Sequence, residues 1–295
     1  MSAKVETQVR TSEPPRLRAG QRLGELFRRR EVLVNLIRKE TKVKYKSSIL
    51  GVAWSMLNPL LYLVVFYLVF TFPLRTGIDN FVVYLLAGIL PWTLFASGLQ
   101  GATGAVVANG PLVTKVAFPR EILPLSAIGA SLVYFGYQSV VLIAALLVFG
   151  YPFLGPALVL VPLALVVLLL FLAAVGVATS AFNVRYRDTQ HLVELALLAW
   201  FWATPIVYQG PKLVAESLGP GAVQVYLLNP VANVVLAFQR ALYGGTSSEA
   251  VAELPDPGIA WYAGRLAVLG AVSALLLYLT WRAFYRMSGD FAEEL

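Results

Sequence analysis

Long apolar runs alternate with short polar breaks along most of the chain. About 20 apolar residues are needed to cross the hydrocarbon core of a bilayer. Runs of that order fall at Ile49 to Pro73, Phe81 to Val107, Ile122 to Gly150, Ala157 to Phe182, His191 to Tyr208 and Ile259 to Trp281. The pattern predicts six transmembrane helices and an all-α membrane protein, because a lipid-exposed backbone must satisfy its own hydrogen bonds.

The segments outside these runs carry patterns of their own. Between Gln21 and Ser48, Leu23, Leu26, Phe27, Leu33, Val34 and Ile37 share a stripe of roughly 120° on a helix, interrupted by Arg30. This predicts an N-terminal amphipathic helix over 21–48, lying at the membrane interface or packed on a partner protein. Residues 1–20 include "SEPPRLRAG" and have no apolar period, so they read as a disordered cytoplasmic tail. No short apolar core with a cleavage site opens the sequence, and no cleaved signal peptide is expected. The membrane domain then occupies 49–285, and 286–295 forms a short cytoplasmic C-terminal tail.

The stretch from Gln209 to Gly258 is too long for a plain connection. Within it Asn229 offers an N-cap and Pro230 a first helical position, followed at helical spacing by Val231, Val234, Val235, Phe238 and Leu242. Gly244 and Gly245 stop the helix. Two apolar halves meeting at Asn-Pro, each too short to span, predict outer re-entrant helices between spans five and six; two further spans are the alternative.

Composition sharpens the membrane reading and charge orients it. The chain is 58% hydrophobic and 13% charged, with a mean hydropathy of +0.72. Of its 23 Lys and Arg residues, thirteen precede Ile49, and Lys115, Arg120, Arg185, Arg187, Arg282 and Arg286 fall on the same side of the six-span topology. Arg75, Lys212, Arg240 and Arg265 fall on the other. Basic residues stay cytoplasmic, so both termini and the polar island "NVRYRDTQHLVE" (183–194) are expected in the cytoplasm.

The ionisable residues exclude several chemistries. Spans one to four contain no Asp, Glu, Lys, Arg or His, which disfavours a transporter driven through intramembrane carboxylates. There is no G-x-x-x-x-G-K-[ST] sequence to hold ATP. Cysteine is absent, and the single His191 lacks partners for a metal or a catalytic base, which favours a structural role. No metal site is expected.

Aromatic residues recur along span one, at Trp54, Tyr62, Phe66, Tyr67 and Phe70, and along span three, at Tyr134, Phe135 and Tyr137. Such rings serve ordinary packing, or a surface on which the apolar faces of sugars slide. Ser97, Gly101 and Ala105, and Ser126 and Ala130, are spaced for close helix approach.

At "LGVAWSMLNPL" (50–60), "FPREILPLS" (118–126), "NVRYRDTQHLVELALLAWFWATPIVY" (183–208) and "NPVANVVLAFQRALYGG" (229–245) the sequence resembles ABC-2 type permeases that export polysaccharides such as O-antigen, teichoic acid or capsule. The resemblance implies a homodimer around a shared channel in the bacterial plasma (inner) membrane, with two separate ATPase subunits that hold ATP and Mg. No cofactor would be bound by this chain, and the cargo would be a lipid-linked glycan. It further implies that Asn183, Arg185, Arg187 and Asp188, with Lys115, Arg120 and Glu121 of the gate region, dock on the ATPase. Asn183 would also cap the short helix that follows.

By the same resemblance Tyr62, Phe66, Tyr67 and Phe70 line the glycan channel. Arg38, Lys39, Lys42, Lys44 and Lys46 stand at its cytoplasmic mouth, where they can attract a lipid diphosphate; positive-inside bias alone also accounts for them. An ABC-2 exporter of small amphiphiles or lipids, the alternative, shares the topology and the docking surface. A membrane enzyme acting on lipid-linked sugars needs an acidic pair or metal cluster that Glu121, Asp188 and Glu194 do not make. Nucleic acid is not an expected partner.

Overall fold

The structure, a computed structural model, describes residues 24, 28–44, 53–71, 78, 80–115, 118–148, 150–151, 155–246, 250–251, 254–255 and 258–295. Twelve α-helices fall within them: α1 (Arg30–Lys44), α2 (Ala53–Thr71), α3 (Phe81–Ala108), α4 (Gly110–Lys115), α5 (Ile122–Val148), α6 (Leu160–Arg185), α7 (Thr189–Trp202), α8 (Gly210–Leu218), α9 (Pro220–Tyr226), α10 (Pro230–Leu242), α11 (Ile259–Met287) and α12 (Phe291–Glu294). A 3-10 turn, Pro156–Val159, leads into α6. There is no strand among the described residues.

Four of these elements are long and apolar enough to cross a membrane: Phe81–Ala108, Ile122–Val148, Pro156–Arg185 and Ile259–Met287. They begin within a residue of the predicted starts. The helix α2 has 19 residues, inside the predicted first span. The predicted fifth span, His191 to Tyr208, is corrected: α7 stops at Trp202 after 14 residues, about 21 Å at 1.5 Å per residue. Pro205 disfavours helix at the residue before it. The turn that follows is held from elsewhere in the bundle, by Gln239 Nε2 donating to Pro205 O at 2.8 Å and Tyr84 Oη donating to Tyr208 O at 2.8 Å.

The centre of the bundle is α3, which packs on α5, α6 and α10. In lipid, apolar burial gives helices little reason to associate, and small residues that admit close contact replace it. Gly176 of α6 lies so near α3 that a Cβ there would be 2.9 Å from Ala102 Cβ, and a Cβ on Gly101 would meet Ala127 Cβ of α5 at 3.4 Å.

Of the predicted amphipathic segment 21–48, residues 30–44 are helical, while Leu23, Leu26 and Phe27 of its stripe lie outside the described residues. Leu36 is 8% exposed, Leu33 and Ile37 are half-buried and Val34 is exposed. This face packs on α5 of its own chain. Ile37 reaches Gly129, and Tyr134 Oη donates to Thr41 O at 3.3 Å.

The helix α10 is buried on nearly every side. Asn229 caps it as predicted, accepting from the Val231 and Ala232 amides, and also accepts from Trp200 Nε1 at 2.9 Å. Between α9 and α10 the chain bends by 103°. Arg265 of α11 holds that elbow, donating to Asn233 Oδ1 at 2.9 Å and Leu227 O at 3.4 Å while lying over the Trp261 ring.

Candidate functional site

Two groups of residues carry the chemistry expected from the sequence. The first gathers at the end of the bundle where the basic residues lie. Here α3 ends at Asn109, whose side chain donates to Ala105 O at 2.9 Å and accepts from Lys39 Nζ at 3.0 Å. The amphipathic helix is thereby fastened to the start of α4. Lys115 at the end of α4 is exposed.

Arg120 is half-buried and donates to Ser288 O. Burial pushes its guanidinium below the usual arginine range, and the neighbouring Glu121 carboxylate opposes that shift. Glu121 itself is only 5% exposed. It lies in the core of this end and does not offer a carboxylate at the surface, contrary to its predicted place on the docking face.

The polar island forms the turn between α6 and α7. Arg185, Tyr186, Arg187 and Asp188 are exposed, and Thr189 Oγ1 donates to Tyr186 O at 2.6 Å, which keeps the turn tight. Tyr186 is 61% exposed beside these charges and escaped the sequence reading; its flanking arginines were the available signal. Arg185 pairs with Glu294 at 3.6 Å.

Asn183 is a second correction. It lies inside α6, 2% exposed, two residues before the end of that helix. The N-cap position of α7 belongs to Asp188, whose side chain makes no capping bond. His191 is exposed and sits 3.5 Å from Glu194, one turn along α7.

Of the five basic residues expected at the mouth, Arg38 and Lys42 are exposed on α1 and Lys39 is drawn to Asn109. The Lys44 side chain and all of Lys46 lie outside the described residues.

The second group is aromatic. Tyr62 stacks on Phe66 at 6.0 Å between centroids, and Phe66 stacks on Phe201 of α7 at 5.9 Å. Phe201 then meets Trp92 at 5.6 Å and Trp202 at 5.4 Å, edge to face. Phe95 continues the series into the core, 5.9 Å from Trp92 and 5.1 Å from Trp200. Offset and edge-to-face pairs of this kind are favourable by about 0.5–1.5 kcal/mol each beyond their contact area.

Tyr62, Tyr67 and Trp202 remain exposed, so the ladder runs from a buried foot to an open rim. The side chain of Phe70 lies outside the described residues. The sequence reading found the α2 rungs and missed Trp92, Phe95, Phe201 and Trp202, because nothing local joins residues more than a hundred positions apart. Next to the ladder an open apolar groove of about 510 Å³ is lined by Ala196, Ala199, Trp200, Ala203 and Asn229.

The sequence profile of the family described as ABC-2 type transporter matches residues 31–243. The chain is 33% identical over 273 residues to the O-antigen export system permease protein RfbA of Myxococcus xanthus, covering 92% of this chain and 98% of that one. It is 32% identical over 227 residues to the protein of the same description from Klebsiella pneumoniae, covering 76% and 83%. With its membrane-length helices and this match over most of its length, the chain belongs to the ABC-2 type transporter family as a multi-pass membrane subunit.

Proposed function

We propose that this chain is the channel-forming subunit of an ATP-driven exporter of a lipid-linked polysaccharide of the O-antigen type. The relatives are described as O-antigen export permeases, and an aromatic ladder with an exposed rim suits a sliding sugar chain.

In this reading two copies assemble in the bacterial inner membrane with both termini in the cytoplasm, where the basic residues are retained. Each copy contributes six membrane segments, the short α7 being the fifth and not a full span by itself, with α2 and α7 facing the shared channel. The short α7 exposes Leu192, Leu195, Leu198 and Trp202, and the second copy is placed against this face. The bent pair α9 and α10 re-enters from the outer side, and α1 lies along the inner interface. Arg38, Lys39, Lys42, Lys44 and Lys46 attract the diphosphate of the carrier lipid. Two separate ATPase subunits bind ATP and Mg and dock on Lys115, Arg120, Arg185, Arg187 and Asp188.

The observation that carries the docking claim is the tight turn at 186–188. It holds Arg187 and Asp188 in the open with no side-chain partner among the described residues and connects directly to α7, which bears the ladder's exposed end. Exposed opposite charges fix the register of a partner more than they add affinity. Charge reversal by Arg187→Glu together with Asp188→Arg is expected to leave a folded protein and to lower export at least tenfold per ATP hydrolysed. Export at the unaltered rate in that variant removes the docking claim.

A further inference from the structure

The segment after α11, expected as a short cytoplasmic tail, is packed back into the bundle. Phe291 is 1% exposed and meets Phe284 edge to face at 5.3 Å. It shares one apolar cluster with Val106 of α3, Val113 of α4, Ile122 of α5 and Val184 of α6, with Leu295 packed at the edge. The backbone at Ser288 accepts from Arg120, and Glu294 pairs with Arg185. A four-residue helix such as α12 is not stable alone, so its conformation is imposed by this docking.

These contacts join segments that the sequence leaves apart. The 109–121 segment and the end of α6, which leads directly into the 186–188 turn, belong to different parts of the chain, and residues 288–295 touch both, the latter at Val184 and Arg185. We propose that the C-terminal segment is a mechanical tie: it makes the docking turn and the 109–121 segment move as one body when the ATPase closes, with Phe291 as its main positioning residue. The proposal rests on the reading of 186–188 as the docking turn.

The physical ground is that a close-packed apolar cluster shifts as a unit, whereas loops joined only by backbone absorb displacement. The Arg185–Glu294 pair is largely solvated on its arginine side and contributes little to stability. It aligns the tie, while Phe291 and Leu295 bear the strain.

Four variants test this in the assembled complex. Removal of residues 288–295 and Phe291→Asp are expected to leave ATP hydrolysis within about twofold and to lower export per ATP at least tenfold, with Phe291→Leu restoring most of the coupling. Restoration by leucine separates positioning from a general folding defect. The fourth variant uses the absence of cysteine in the chain. A Cβ on Gly110 would lie 4.0 Å from Leu295 Cβ, within disulfide range.

The double variant Gly110→Cys and Leu295→Cys is expected to form a bond on oxidation, and its export is expected to be equal in oxidised and reduced forms. Full coupling without residues 288–295 overturns the tie. So does an oxidised form that stops exporting and recovers on reduction, since the tail would then have to leave. No bond in the folded, membrane-extracted chain overturns the tail's placement and needs no ATPase to be read. Failure of the docking reading shows separately, as unaltered coupling in the Arg187→Glu and Asp188→Arg variant.

Discussion

Gly176 illustrates how single atoms set the spacing of this bundle. Its missing Cβ would stand 2.9 Å from the Ala102 Cβ, an atom with no rotamer through which to retreat. Gly176→Ala must therefore push α6 away from α3 and is expected to cost about 1–3 kcal/mol, read as a lower unfolding temperature in detergent. At Gly98 the added atom would meet the Leu172 Cδ2 methyl at 2.6 Å. A leucine terminus can rotate, so Gly98→Ala is expected to cost less than Gly176→Ala. An equal or larger loss at Gly98 contradicts this reading of the α3–α6 contact.

Asn229 is a residue whose role was legible in advance, since a cap followed by proline is a local signal. Its bond to Trp200 was not legible, because that partner is fixed only by the tertiary fold. Leu36 shows the same limit: the predicted stripe included Val34 and passed over Leu36, and the decision fell to where α5 happens to lie.

At the scale of elements, hydropathy and length located the long helices well because each is bounded by polar residues or proline. It overran α7, where "ATPIVY" is apolar yet turns, and the proline inside it was the available warning. The C-terminal segment was missed for a different reason. Two apolar residues, Phe291 and Leu295, are too few to make a period, so only the folded chain reveals their burial.

The α7 face gives the prediction that belongs at this scale. A single cysteine replacing Leu195, which is 65% exposed, is expected to cross-link two copies of the chain in native membranes. One replacing Val148, 80% exposed on α5, is expected not to. Cross-linking at position 148 and none at 195, seen as dimer bands on a denaturing gel, would place the subunit contact elsewhere.

For the whole molecule, the membrane class and the family followed from the chain's own pattern, and the match over residues 31–243 agrees with it. The candidate site was legible only in parts. Exposed charges such as Arg187 and Asp188 announce themselves in an apolar sequence, while the ladder through Trp92, Phe95 and Phe201 exists only once α2, α3 and α7 are side by side. In the proposed mechanism these parts form one path: closure of an ATPase at the basic end would move the 186–188 turn, the packed cluster at that end would carry the movement, and sugar would advance along the aromatic rim.

That path stands or falls on one measurement, co-purification of this chain with its ATPase followed by hydrolysis rates with a lipid-linked polysaccharide and with small amphiphiles. The account predicts a stable complex whose ATP hydrolysis rises severalfold with the polysaccharide and not with the amphiphiles. Stimulation by amphiphiles alone contradicts the proposed cargo, and failure to form any ATPase complex contradicts the transport mechanism itself.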